Sequence, residues 1–178
     1  SDGHAGFSFT KIDSKGDELP ASATEWNCVK DNVTGLMWEV KTDDGGLRDK
    51  DNRYTWYNSD PNTNGGDAGS EDGGTCTDAG NCDTEKYAAR ANSVGLCGHS
   101  DWRVPDVSEL LAIVKLGEST PTIDTTYFPE SVTMLYWTAS PVANDSNDAW
   151  IVAFQSGHDN YHQKKNGLFV RLVRSDSN

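Results

Sequence analysis

Two polar segments carry the side chains that could do chemistry. The first alternates oxygen-bearing side chains with glycine, and its candidate ligands are Asp60, Asn62, Asn64, Asp67 and Glu71. Ca²⁺ takes six to eight oxygen ligands, and a twelve-residue calcium loop ends on a glutamate, the position that Glu71 holds when counting starts at Asp60. No helix start pattern follows, so two interpretations stay open, a calcium site and a solvated Asn/Gly-rich turn.

The second segment lies near the C-terminus, in predicted loops over residues 142–148 and 156–162. A neutral sugar needs fixed hydrogen bonds to its hydroxyls and an apolar face to stack on, and amides beside aromatic rings supply both. The same rings and imidazoles suit a cell-surface protein. The alternative is that hairpin turns favour Asn and Asp for backbone reasons alone. The predicted ligand-binding residues are Asn144, Asp145, Asn147, Asp148, Trp150, His158, Asp159, Asn160, Tyr161 and His162.

Nucleophilic catalysis has little support in the sequence. His99, Ser100 and Asp101 are adjacent, but neighbours in sequence rarely converge into a triad, and no Gly-x-Ser-x-Gly elbow is present. We expect His99 and Asp101 to hold a turn instead. We therefore predict no catalytic residue and no enzyme activity.

The net charge of the chain limits the classes of partner that it can bind. The chain has 15 basic and 28 acidic residues and a net charge of −13. Nucleic acid, anionic membranes and sulfated glycans each need a cationic face, and Lys164-Lys165 is too small a basic cluster to provide one. An acidic surface attracts divalent cations, although solubility alone explains it equally well. No apolar run of 18 residues and no signal-like segment occur, so we expect a mature or trimmed soluble piece without direct membrane insertion.

Four cysteines form no C-x-x-C pair and lack zinc-site spacing. Three pairings are possible. We predict a local Cys76–Cys82 disulfide and a Cys28–Cys97 disulfide that ties an early strand to the segment after a helix. These would place the chain in an oxidising compartment, secreted or on a cell surface. Four buried free thiols are the alternative.

The surrounding pattern predicts an α+β domain with two helices and short antiparallel strands. Residues 1–25 read as a lead-in with one possible short strand, and 26–178 as a single domain. A long Gly/Asp-rich loop covers 58–81. Predicted helices cover 83–94 and the segment from the capping box of Asp106 and Glu109 to Gly117. Predicted strands cover 26–30, 36–41, 53–57, 135–140, 149–155, 161–165 and 168–174.

Six short motifs, taken in order, resemble the Lcl C-terminal domain family over residues 7–174. The resemblance implies a C-type-lectin-like fold, in which the first and last strands pair and long irregular loops on one side carry the ligand site. The motifs are Trp26-Asn27-Cys28-Val29, Thr34-Gly35-Leu36-Met37-Trp38, Gly95-Leu96-Cys97, Asp101-Trp102-Arg103-Val104-Pro105, Tyr136-Trp137-Thr138-Ala139-Ser140 and Val170-Arg171-Leu172-Val173-Arg174.

The resemblance also implies an adhesion module of secreted or surface proteins of bacteria. The family's namesake is trimeric and binds sulfated glycosaminoglycans, but the charge of this chain argues against that ligand. We expect a glycan or cell-surface ligand at the C-terminal loops. The alternative is a structural, trimerisation or tip module of a larger adhesin, pilus or fibre, a homo-oligomer with structural Ca²⁺ in the 58–82 loop.

The Trp-Arg-x-Pro step is also similar to formylglycine-generating enzymes. The chemistry of those enzymes needs a pair of cysteines near the C-terminus, and no cysteine follows Cys97. We therefore do not expect that activity here.

Overall fold

The computed structural model describes residues 6–117 and 120–175. Within these residues the chain forms short strands and two helices. Their bounds are β1 Phe9–Ile12, β2 Glu18–Leu19, β3 Cys28–Asp31, β4 Leu36–Glu39, α1 Thr84–Ser93, α2 Val107–Ala112, β5 Leu135–Val142, β6 Asp145–Ala153, β7 His158–Gln163 and β8 Val173–Ser175. No helix in this part of the chain is long and apolar enough to cross a membrane.

The strands form two antiparallel sheets, which confirms the α+β class. One sheet has the order β2-β1-β3-β4-β8 and the other β5-β6-β7. The lead-in, for which one possible short strand is predicted, contains two strands, and β1 pairs with β2 on one edge and with β3 on the other. The predicted pairing of the first and last strands is wrong. Strand β8 joins the N-terminal sheet, but beside β4, with Met37 opposite Arg174, because β1 already has β2 and β3 on its two edges.

Both helices follow their local start signals. The side chain of Asp83 accepts from the backbone N–H of Lys86 and caps α1. Asp106 and Glu109 form the predicted capping box at the start of α2. Helix α2 ends at Ala112, several residues before Gly117, so its predicted length is wrong.

Apolar side chains form two buried clusters, and β6 lies between them. Ala149, Ile151 and Ala153 belong to the cluster that surrounds Cys28 and Cys97. Val152 belongs to the other cluster, on the opposite face of the strand. Because both faces of β6 are covered, its second half is apolar without alternation, as is typical of a fully buried strand.

The structure contains both predicted disulfides. The Cα atoms of Cys28 and Cys97 are 6.5 Å apart, and those of Cys76 and Cys82 are 5.5 Å apart. Cys97 sits in a short 3₁₀ turn that packs on the β1–β2 connection. A Cβ atom at Gly98, where φ is +75°, would lie 2.5 Å from the carbonyl oxygen of Lys15, so this contact requires glycine.

Four element predictions are corrected by the structure. The 53–57 segment forms isolated bridges, with Arg53 opposite Thr75 and Tyr57 opposite Gly69, instead of a strand in a sheet. Of the predicted 168–174 strand, only its end is regular, in β8. The predicted loops over 142–148 and 156–162 are mostly strand, because β6 begins at Asp145 and β7 begins at His158.

Candidate functional site

The long polar loop over 58–81 packs back onto the segment that precedes it. The backbone N–H of Ser70 donates to the carbonyl oxygen of Trp56 at 3.0 Å, and Asn58 donates to Ala68 at 2.9 Å. A Cβ atom at Gly69 would lie 2.2 Å from the same Trp56 oxygen, so only glycine allows this approach. The loop therefore has a fixed position.

Lys164 holds this loop against the β5–β6 hairpin. Its Nζ donates to the carbonyl oxygens of Asn64 at 2.9 Å, Asp67 at 2.7 Å and Ser146 at 2.7 Å. The ammonium also lies 4.3 Å from the centre of the Trp56 ring, and the residue is 2% exposed. Burial lowers the pKa of Lys164. Because an ammonium has three donors, the carbonyls use its full capacity.

A cleft of about 420 Å³ lies between the loop and strands β6 and β7. It unites residues from both polar segments of the sequence, Asp67 from the first and Asp145, Asn147 and Asp148 from the second. We call it the acidic cleft and take it as the candidate functional site. Its lining is Asp67, Gly69, Ser70, Asp145, Asn147, Asp148, Gln163, Lys164 and Lys165.

The carboxylates of the acidic cleft are fixed to different degrees. Asp67 accepts from the backbone N–H of Gly69 at 2.7 Å, and Asp145 accepts from that of Asn147 at 3.0 Å. Asp148 is 9% exposed, and no residue in the described ranges donates a hydrogen bond to it. The lining therefore offers negative charge and acceptor oxygens.

The other predicted ligand residues lie elsewhere on the hairpins. A second depression of about 160 Å³, here called the β7 groove, is lined by His158, Asp159, Asn160, Tyr161 and His162 among others. The predicted set is thus divided between two sites, the acidic cleft beside Gln163 and the β7 groove along residues 158–162. Two of its members line neither site: Asn144 in the β5–β6 turn, and Trp150, which is paired with Tyr161 across the strands.

The cross-strand register connects the cleft with an aromatic pair. Asp148 lies opposite Gln163, and Trp150 lies opposite Tyr161. Residues two apart on a strand share a face, so these two pairs are neighbours on one surface of the sheet. The rings of Trp150 and Tyr161 are 6.2 Å apart between centroids and are nearly perpendicular.

The residues of the predicted calcium loop are engaged in turns of their own. Asp60 accepts from the backbone N–H of Asn62 at 3.0 Å, Asn64 accepts from Gly66 at 2.9 Å, and Glu71 pairs with Lys86 at 3.0 Å. In residues 6–117 and 120–175, no three His, Cys, Asp or Glu side chains are placed to hold one metal ion. This finding does not test ligands from Asn side chains or backbone carbonyls, so calcium binding by the loop stays a prediction.

Sequence reasoning missed five residues that line the acidic cleft, Gly69, Ser70, Gln163, Lys164 and Lys165. They belong to no motif. In the sequence Lys164 is only half of a small basic pair, and the carbonyl oxygens that it binds carry no signal in side-chain identity. Only the folded contacts between the loop and the hairpin identify them.

One comparison with known proteins gives a match. The family model described as the Lcl C-terminal domain matches residues 27–174, a span that contains all the lining residues of the acidic cleft. No curated protein and no solved structure matches the chain.

Proposed function

We propose that this chain, which belongs to the Lcl C-terminal domain family, is an extracellular bacterial module that binds a glycan or another cell-surface ligand. The ligand would occupy the acidic cleft. We also propose that its two antiparallel sheets and long ordered loop are a version of the C-type-lectin-like fold. The two disulfides support an oxidising compartment, in which such crosslinks persist.

The convergence of separate polar segments in one concavity carries this proposal. Asn147 and Gln163 bring amide groups, and Ser70 a hydroxyl, to a cleft large enough for a sugar ring. Ligand sites are concave and fix orientation with a small number of placed polar groups. The neighbouring Trp150 and Tyr161 rings offer an apolar surface to a second sugar unit.

A glycan array tests the proposal, with the soluble chain probed in the presence of Ca²⁺ and of a chelator. We expect at least one glycan class to bind. We expect Asn147→Ala to weaken that binding about fivefold, since a hydrogen bond contributes roughly 1 kcal/mol. Asn144→Ala is the matched control, because Asn144 is exposed in the turn and lies outside the cleft.

The same array locates the site. Normal binding by Asn147→Ala, combined with loss in Tyr161→Ala at an unchanged melting temperature, would move the site to the β7 groove. An array without any binding would refute the glycan proposal. A loss of binding in the presence of the chelator would support the prediction that calcium is part of the site.

The outer edge of β7 favours a second candidate, an assembly module. Within the residues described, β7 pairs only with β6, and five of its six residues are exposed. An open edge strand is a template for pairing with another chain. Light scattering with and without Ca²⁺ tests this candidate. A stable trimer would support it, and a monomer at the highest accessible concentration would refute it.

A further inference from the structure

Asp148 is a carboxylate to which no described residue donates a hydrogen bond. It is 9% exposed and lines the acidic cleft. It accepts no hydrogen bond and forms no ion pair within 4 Å among the residues that the structure describes. Its oxygens are not among the fully buried side-chain atoms that lack a partner in the described residues, so they reach the open space of the cleft. A ligand in the cleft can therefore contact them.

The ammonium of Lys164 attracts the carboxylates of Asp67, Asp145 and Asp148 through its charge, but it donates no hydrogen bond to any of these carboxylates. The ammonium of Lys164 gives its three donors to the carbonyl oxygens of Asn64, Asp67 and Ser146. Lys165 is exposed at the rim. Asp67 and Asp145 each commit one oxygen to a backbone N–H and keep the other. Three carboxylates against two ammonium groups give the lining of the cleft a formal net charge of −1.

The spacing of these groups suits an organic cation better than a metal ion. No three His, Cys, Asp or Glu side chains of the described residues are placed to hold one metal ion. A cleft of about 420 Å³ has room for a pyranose ring, and an ammonium supplies three donors to separated acceptors. The amides of Asn147 and Gln163 then remain for the hydroxyl groups.

We infer that the acidic cleft recognises a saccharide that carries a free amino group, with the carboxylate of Asp148 accepting its ammonium. This inference deepens the proposed function and rests on it. A lysine-rich peptide would satisfy the charge alone, but the neutral amide and hydroxyl groups of the lining favour a polyhydroxylated ligand.

Isothermal titration with two matched oligosaccharides tests the inference. The probes are a β-1,4-linked glucosamine tetramer and its fully N-acetylated counterpart, since acetylation removes the charge and keeps the ring. We expect the free amine to bind at least tenfold more tightly. We expect Asp148→Asn to abolish this preference. Asp159→Asn removes the same charge in the β7 groove and should preserve the preference.

A second variant controls for a change in folding caused by Asp148→Asn. Asp145→Asn keeps an oxygen for the backbone N–H of Asn147 and removes one charge from the cleft, so it should reduce the preference at an unchanged melting temperature. Equal binding of both tetramers with sensitivity to Asn147→Ala would overturn the inference and leave the proposed function standing. Binding of a lysine-rich peptide, but of neither tetramer, would overturn it in favour of a peptide. Binding of nothing, on the array or by titration, would refute both proposals.

Discussion

Two buried basic side chains connect distant parts of this chain. Lys164 joins the polar loop to the C-terminal hairpin. Arg174 on β8 donates from Nε to Asp101 at 2.7 Å, and so ties the segment between the helices to the N-terminal sheet. This long-range ion pair comes in addition to the role in a turn that the sequence predicts for Asp101. In both connections, the cationic group donates to acceptors that are remote from it in sequence.

The pair of Asp101 and Arg174 gives a pH prediction. Hydrogen bonds from Arg174 lower the pKa of the Asp101 carboxyl below its ordinary value of 3.8. A carboxyl whose pKa is lower in the folded state stabilises the fold above its unfolded pKa, and this stabilisation is lost as the pH falls through the folded pKa. Asp101→Asn should therefore reduce stability at neutral pH and make little difference in acid.

The magnitude is small because the Asp101 side chain is 56% exposed. We expect a loss of at most about 1 kcal/mol at neutral pH, shrinking to zero towards about pH 2, in urea unfolding followed by circular dichroism. Asp159→Asn is the control, an exposed carboxylate on β7 without an ion pair among the described residues. A deficit that persists in acid would contradict the ionic explanation.

The elements differ in how far local sequence determines them. The helix starts at Asp83 and Asp106 were predictable, since caps act within three residues. The beginnings of β6 and β7 were not, because the segments 145–148 and 158–162 consist of polar, mostly exposed strand residues. Their pairing is decided by the partner strand, and Asn and Asp favour turns when considered alone.

The candidate site was predictable in its parts and not in its assembly. Composition alone identified Asp67 and the Asp145–Asp148 segment as polar candidates. Their meeting in one cleft depends on the close contact of Gly69 with Trp56 and on the carbonyl ligands of Lys164. Such long-range backbone contacts leave no pattern in a single sequence.

The role of Gly69 gives a prediction for the loop. Gly69 and Gly80 have similar positive φ values, +89° and +86°, so alanine strains both backbones by roughly 1 kcal/mol. Only at Gly69 would the new Cβ also meet the Trp56 carbonyl oxygen. Gly69→Ala should therefore lower stability by more than Gly80→Ala, and should also weaken ligand binding because the cleft wall moves.

Thermal unfolding and glycan titration of the two alanine variants check this prediction. Gly80→Ala reports the backbone strain by itself, since a Cβ added there would have no atom within 4 Å among the described residues. Equal losses of stability in the two variants, with binding intact in both, would show that the contact between Gly69 and Trp56 does not position the cleft.

A buried polar network connects the two ends of the chain with the first helix. Glu39 accepts from Lys41 Nζ at 3.0 Å and from the hydroxyl of Tyr87, and its other oxygen accepts from the backbone N–H of Leu172 at 2.9 Å. Burial, followed by the charge of Glu39, raises the pKa of Tyr87, which keeps the phenol protonated as a donor. Such a network stabilises only as a complete set, since removing one member leaves a buried charge unpaired.

The two disulfides constrain the molecule on different length scales. Cys28 and Cys97 are separated by 69 residues, whereas Cys76 and Cys82 are separated by 6. If the crosslinks act by restricting the unfolded chain, removing the long one should cost about 4 kcal/mol and the short one about 2 kcal/mol. The variants are Cys28→Ala with Cys97→Ala, and Cys76→Ala with Cys82→Ala, each measured by urea unfolding.

Ligand binding should depend more on the short disulfide than on the long one, which is the reverse of their order for stability. The Cys76–Cys82 disulfide lies in the same long loop as the lining residues Asp67, Gly69 and Ser70, so its removal should weaken binding more for each kcal/mol of stability lost. A greater loss of stability from the short pair would contradict the chain-entropy argument. It would mean that this loop, and not the Cys28–Cys97 link, is the principal constraint on the fold.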